Sequence, residues 1–414
     1  MTTPLPDGLV LRTARPADLD QIGELLIARG EESDALDHRL VVHDDALGWP
    51  ACAVVADGDR VVSTATLLDE TVRVGDVVLP AGQVELVATA VGHEGRGLVR
   101  ALMGWAHERS ARRGHVLQVM IGIPYFYRLF GYEYAIDIPR ARVLAPGAGA
   151  NAPAGSGTAP THVPPPGTVR RATAADLPAV TALQDAAQAG VDVAVPHPEP
   201  RTRWLLAHDA SVTWVLERDG AVAASARVRT DDDGILVAEP AARDAGAADA
   251  LLAALAADAP EVRVVHRAGT VTGDAWSALL APAGDGADQY YARIARPELV
   301  LDALRPVLHA RLARAGLLGA DRDLVVSTFG RHYRMPLTAA GIGPVTVGGP
   351  MQGPGAVGGA GVAPDRLPAL LLGPLGLAGL ARRHPDVYAG PDAATYEALF
   401  PPLTADLLTY YLPW

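Results

Sequence analysis

The chain has 414 residues, 49% hydrophobic and 20% charged, a globular composition long enough for several domains at roughly 100–200 residues each. Its net charge of −12 argues against a general nucleic-acid binder. Cys52 is the single cysteine, which excludes an intramolecular disulfide and a cysteine-based metal cluster, so no metal is expected.

Lysine is absent and arginine carries the basic charge, a compositional bias of the whole chain. The start, "MTTPLPDGLVLRTARP", has neither a basic n-region nor an apolar h-region, so no signal peptide is expected. The longest apolar stretch, 367–381, is broken by Pro368, Gly373, Pro374, Gly376 and Gly379 and is too short to span a bilayer. The expectation is a soluble cytoplasmic protein without a membrane partner.

In chain order, residues 1–145 read as strand, helix, a hairpin around Asp57-Gly58, a second hairpin near 77–83, a strand over 84–91, a helix over 98–112, a strand over 115–119, a short helix and final strands. Leu98, Ala101, Leu102, Trp105 and Ala106 recur with the 3.6-residue helical period, and Gly114 stands where a C-terminal cap belongs. Residues 146–167 are a Pro/Gly/Ala-rich linker with too little apolar surface to offset its ordering entropy. Residues 168–295 look like a second copy of the first module. "LRTARPADLD" at Leu11 matches "VRRATAADLP" at Val169, and the hairpin around Asp57-Gly58 matches one around Asp219-Gly220. From 296 the pattern changes to an amphipathic helix ending at Gly316, strand-like pieces "DLVVSTF" and "HYRMPL", a Gly-rich loop over 341–364, and helical pieces before the apolar end "YYLPW".

The stretch "VELVATAVGHEGRGLVRAL" carries the first chemical signal. A strand enters a turn with Gly95 and Gly97, and a helix leaves it at Leu98. The first N–H groups of a helix lack intrahelical partners, and the helix dipole favours an anion there. Glycine lets the backbone approach a phosphate, and Arg96 and Arg100 add positive charge. Downstream, "GIPYFYRLFGYEYA" (122–135) holds six aromatics in a chain that is 5% aromatic.

The order of elements, the "EGRGLV" turn and the "FYRLFGY" segment resemble the GCN5-related N-acetyltransferase (GNAT) superfamily, whose turn is usually written Q/R-x-x-G-x-G/A. Glu94 and Val99 depart from that pattern. Larger residues at the end of the turn occur in the Eis-like branch, which the layout also resembles. That branch has an active GNAT domain, a second GNAT domain without a cofactor turn, and a C-terminal domain similar to a sterol carrier protein. The resemblance implies an α+β protein of tandem GNAT folds with mixed, mostly antiparallel sheets. Its parts would be 1–145, 168–295 and a sterol-carrier-like α+β domain over 296–414. It implies acetyl-CoA as co-substrate, a small cationic amine as acceptor, and allows a homo-oligomer.

Carried over by position, the backbone of Val87, Ala88 and Thr89 would pair with pantetheine. Gly95, Arg96, Gly97, Leu98, Val99 and Arg100 would hold the pyrophosphate, with Gly122 and Ile123 near the acetyl end. Tyr127 takes the place of the family's general acid, between Tyr125 and Tyr132. A phenol with a pKa of ~10 is protonated at neutral pH and can donate to a leaving thiolate. The general base would be the carboxylate of Trp414, as in the Eis-like branch, or Glu85, which strand parity puts on the side of Val87 and Thr89. The second copy reads "AEPAARDAGAADALLAAL" where the turn should fall, lacks the paired glycines and is expected to be scaffold. The other function the sequence allows is a catalytically weak module that binds an apolar ligand.

Overall fold

The computed structural model describes residues 2–145, 167–208, 210–284, 288–319 and 321–408. Of the 146–167 linker, residues 146–166 lie outside them, as does the terminal residue Trp414. Two compact units are described in turn. One is built from Met1–Asp137, Asp192–Ala194 and Gln289–Ala405, the other from Ile138–Val191, Val195–Asp288 and Asp406–Trp414.

The spine of the first unit is one long hairpin, Arg60–Val74 with Val77–Thr89. The second short hairpin and the following strand expected from sequence are therefore one continuous strand. The sheet runs Thr2–Pro4, Val10–Thr13, Cys52–Asp57, Arg60–Val74, Val77–Thr89, Leu117–Met120, Asp288–Arg293 and Glu133–Ile138. From Thr2–Pro4 to Asp288–Arg293 its neighbours are antiparallel except Val77–Thr89 with Leu117–Met120, which is parallel. The connection across that parallel pair is the helix Leu98–Arg112, as a parallel pair requires. It buries Leu98, Leu102, Met103, Trp105 and Ala106 against Leu11, Val55, Leu67 and Val84. Full burial of each large apolar side chain contributes about 1.5–3 kcal/mol.

A second sheet in this unit follows the helix Pro297–Ala315. The helix buries Val300, Leu301, Leu304, Leu308 and Leu312 and ends at Gly316 with φ 69°. The sheet orders Gly341–Ile342, His332–Thr338, Arg322–Ser327, Ala360–Val362 and Val387–Tyr388. Thr346–Gly348 also pairs with His332–Thr338. The Gly-rich stretch expected as loop thus contributes three short strands, because its backbone groups find partners in the sheet.

In the second unit the sheet runs Ala141–Val143, Val262–Val265, Gly234–Ala242, Ala221–Asp231, Val212–Arg218 and Thr168–Arg171. Again one pair, Gly234–Ala242 with Val262–Val265, is parallel, and the helix Ala245–Ala256 crosses between its strands. The two sheets therefore share one order of strands, crossover helix and parallel partner. The turns differ in detail: Asp219 and Gly220 both lie at positive φ between paired Arg218 and Ala221, whereas Asp57 is itself paired, with Arg60. Each sheet also holds a strand from the other copy's stretch of sequence, Asp288–Arg293 in the first and Ala141–Val143 in the second. Among the described residues no helix is long and apolar enough to cross a membrane.

Candidate active site

The parallel register of the first sheet ends at Gln83–Val119. The 77–89 strand runs on to Thr89 along its antiparallel neighbour. Its other edge past Gln83 opens a cleft between the two parallel strands. At the mouth of the cleft the strand carries a bulge: Leu86 and Val87 stand opposite Ala65 alone, and Leu86 has φ 53°. That left-handed conformation is an outlier for a leucine. The bulge overturns the parity argument. Glu85 lies opposite Thr66 and Ala88 opposite Thr64, so Glu85 shares a face with Ala88, while Thr89, opposite Ser63, is on the other. The extra residue shifts the alternation by one.

The turn has the properties its glycines suggest. Gly95 and Gly97 have φ 72° and 75°, and a Cβ at either would meet nothing, so the backbone conformation demands glycine, not crowding. Gly97 is the N-cap of the 98–112 helix, and no side chain caps the first N–H groups. They are left for an anion, which fits a phosphate. Leu98 anchors the turn in the core, Val99 is half-buried, and the exposed Arg100 lies 5.3 Å from the Phe130 ring centre. Arg96 pairs with Asp7 at 2.8 Å. Glu94, the acidic departure from the family pattern, pairs with Arg29 at 2.5 Å, so its charge is offset on the surface.

Residues 126–130 form a short helical turn that presses Tyr127 into a cluster with Phe126, Phe130, Tyr132 and Tyr291. A Cβ at 122 would overlap the Tyr127 ring, so Gly122 is required by close approach. Burial, and then the charge of Glu85, raise the Tyr127 pKa well above the ordinary phenol value. Glu85 is itself buried, and the Gln83 amide donates to its carboxylate. Burial and the neighbouring carboxylate thus keep the Tyr127 phenol protonated.

The loop before Tyr127 is tied down from beneath. Tyr291 stacks on Tyr134 with ring centres 4.3 Å apart and hydroxyls 2.7 Å apart. The Tyr125 N–H donates to the Tyr134 hydroxyl at 3.0 Å, and the Tyr291 hydroxyl donates to the Ile123 carbonyl at 3.3 Å. Arg128 pairs with buried Glu133 at 2.8 Å, and Arg366 approaches the same carboxylate at 3.4 Å.

The structure brings Glu85, Gly122 and Tyr127 together; Trp414 lies outside the described residues. Sequence reasoning missed Gln83, Tyr134 and Tyr291. Gln83 could have been found two residues before Glu85 on one strand. Nothing in "DQYYAR" announces that Tyr291 joins a site formed by residues 83–134.

The buried His38 and the half-buried His107 are expected to make this unit acid-sensitive. Burial, and then Arg293, bring His107 down to about 4; its Nε2 lies 3.2 Å from the Tyr132 hydroxyl. Burial, and then His43, bring His38 down to about 4, and neither ring nitrogen has a partner among the described residues. A depressed folded-state pKa on a base means the unfolded chain takes up the proton first, from the ordinary value of 6.5. Stability is therefore full above about 6.5 and falls as the pH drops towards about 4. The thermal midpoint is expected to fall between pH 7 and pH 5, and to fall less in His38→Leu. Equal slopes in the two proteins would contradict this.

The second copy keeps the same bulge but not the cleft. Glu239, with φ 51°, occupies the place of Leu86. Burial pushes its carboxyl up, but Arg227, His197 and Arg267 outweigh that and bring it to about 2. Where the 234–242 strand leaves its parallel neighbour, Arg267 donates to the Pro240 carbonyl at 2.9 Å and Thr272 at 3.0 Å. Arg267 is held by Asp406 in a bidentate pair at 2.9 and 2.7 Å. The backbone acceptor is thus taken by the chain's own side chains. The Asp244 carboxylate accepts from the Ala247 N–H at 2.8 Å, filling the helix terminus that a phosphate would use. These contacts give a physical reason for the missing glycine turn.

A family model described as an acetyltransferase (GNAT) domain matches residues 11–135. No curated protein matches the sequence. Among solved structures, the chain is similar to a GCN5-related N-acetyltransferase from Kribbella flavida, at 20% identity and a TM-score of 0.66 over 96% of this chain and 97% of that one. It is similar to one from Anabaena variabilis, at 13% and 0.69 over 96% and 98%. It is also similar to Eis1 from Mycobacterium abscessus, at 18% and 0.61 over 95% and 97%. Residues 11–135 are therefore an acetyltransferase (GNAT) domain, within a chain that has the fold of these N-acetyltransferase structures.

Proposed function

We propose that the first unit moves an acetyl group from acetyl-CoA to an amine by direct attack. The observation that carries this reading is the open strand edge past Gln83 ending at an uncapped helix terminus, with Tyr127 and Glu85 beside it. The edge of Val87–Thr89 suits an extended pantetheine arm, and the turn from Gly95 to Arg100 suits its pyrophosphate. The amine nitrogen forms a bond to the thioester carbonyl carbon, and the C–S bond breaks. Tyr127 gives its proton to the departing thiolate, which its raised pKa keeps available at neutral pH.

The attacking nitrogen must lose a proton. Glu85 is the base this geometry favours, since it is buried, held by Gln83 and close enough for its charge to act on Tyr127. The carboxylate of Trp414 is the base that the resemblance to the Eis-like branch favours. Release of free CoA in the presence of acetyl-CoA and a panel of amines tests the activity. Glu85→Gln is expected to lower kcat by about 10²–10³-fold, with removal of Trp414 far milder. The reverse order would move the base to the terminus.

The helix and sheet of residues 297–388 support reading the C-terminal part as a sterol-carrier-like module. The filled cleft of the second copy supports a scaffold role for it.

A further inference from the structure

We propose that Tyr125 binds the acceptor, and that the amine used by this site carries an apolar alkyl or aryl body next to its amino group. The proposal rests on the acetyltransferase reading and deepens it.

The backbone at Tyr125 has φ 70°, a conformation that bulky residues adopt only when the surroundings impose it, and such positions cluster where ligands are held. Glycine would sit there without strain. The surroundings do impose it: the hydrogen bonds from Tyr125 N–H to Tyr134 and from Tyr291 to the Ile123 carbonyl fasten both ends of the step to one stacked pair.

What this fastening displays is apolar. Ile123 and Tyr125 are each 62% exposed, and Leu129 on the next turn is 50% exposed. Scattered exposed apolar residues are ordinary, but here they stand on both sides of the general acid in one short segment, 123–129. Gly122 touches the Tyr127 ring, and Tyr125 follows three residues on. In a direct transfer the acetyl carbon must come within bonding reach of the amine beside Tyr127, so the side chains just beyond that point meet the acceptor's body.

Charge on this rim narrows the class. The Arg128 guanidinium lies 5.9 Å from the Tyr125 ring centre, and Glu133 is already paired with Arg128 and Arg366. That carboxylate is committed and does not call for a second ammonium group. A monoamine with an apolar body fits this rim better than a polyamine.

The test uses the full chain, its Tyr125→Gly variant, which accepts the left-handed backbone without strain, and its Tyr125→Phe variant. Phenethylamine and ethanolamine are the probes, one apolar and one polar monoamine. Binding to the CoA-saturated protein is measured by calorimetry, and turnover by CoA release. Tyr125→Gly is expected to weaken phenethylamine binding about tenfold while leaving ethanolamine and the KM for acetyl-CoA unchanged. Tyr125→Phe is expected to bind as the natural protein does. Equal loss for both amines, no loss for either, or no binding of phenethylamine by the natural protein would overturn the proposal. Tyr125-dependent binding of phenethylamine without any CoA release would sink the acetyltransferase reading and leave the binding assignment standing.

Discussion

Tyr127→Phe is expected to lower kcat for acetyl transfer by about 10²–10⁴-fold while changing the KM for acetyl-CoA less than about threefold. The phenol sits against Gly122 in an aromatic cluster, and burial beside Glu85 keeps it protonated. Phenylalanine fills the same space, so the cluster persists and only the proton donor is lost. A phenol that merely packs would give the opposite pattern, with stability changed and turnover kept. Equal kcat in the variant and the natural protein would remove Tyr127 from the mechanism. A stopped-flow trace of CoA release under single-turnover conditions separates the chemical step from product release.

Arg267→Met is expected to destabilise the second unit by about 3–5 kcal/mol, because it leaves the Asp406 carboxylate buried without its charged partner, with only the Gln188 amide at 2.9 Å. The guanidinium also donates to Gln184 at 2.7 Å and to the Pro240 carbonyl; the carbonyl keeps Thr272 as a donor, so one further acceptor, the Gln184 amide oxygen, loses this bond. The double variant Arg267→Met, Asp406→Leu is expected to recover most of the loss, since replacing both charges by apolar groups costs far less than breaking the pair. Denaturant unfolding of the three proteins measures this directly. A single variant that loses less than about 1 kcal/mol would show the pair to be solvated and would reopen the second cleft as a binding site. The comparison bears on function as well, since the same arginine closes the place where the first copy has an open strand edge.

Much of the first unit was legible because local rules govern it. The period of Leu98, Leu102 and Trp105 fixes the helix, its buried face and the sheet it packs on. Gly95 and Gly97 were legible as a strand-to-helix turn, and the structure adds that both are left-handed, a backbone only glycine adopts freely. Glu85 was legible as a candidate but not in its direction. The bulge at Leu86 turns it, and nothing in a leucine announces a positive φ. The shared strand order of the two sheets was legible in two matched segments. The exchange of Asp288–Arg293 and Ala141–Val143 between the sheets was not, because strand partners are chosen by backbone hydrogen bonding between distant stretches.

By itself, then, the sequence determined the 98–112 helix, the paired-glycine turn before it, the aromatic segment around Tyr127 and the absence of such a turn at 238–255, because each depends on neighbours a few residues apart. Only the tertiary structure decided what those parts face. It set Tyr291 under the loop of Tyr125, paired Glu94 with Arg29, and seated Asp406 on Arg267. These contacts join residues tens to more than a hundred positions apart. They exist because packing and charge pairing act through space, where no spacing rule along the chain can reach.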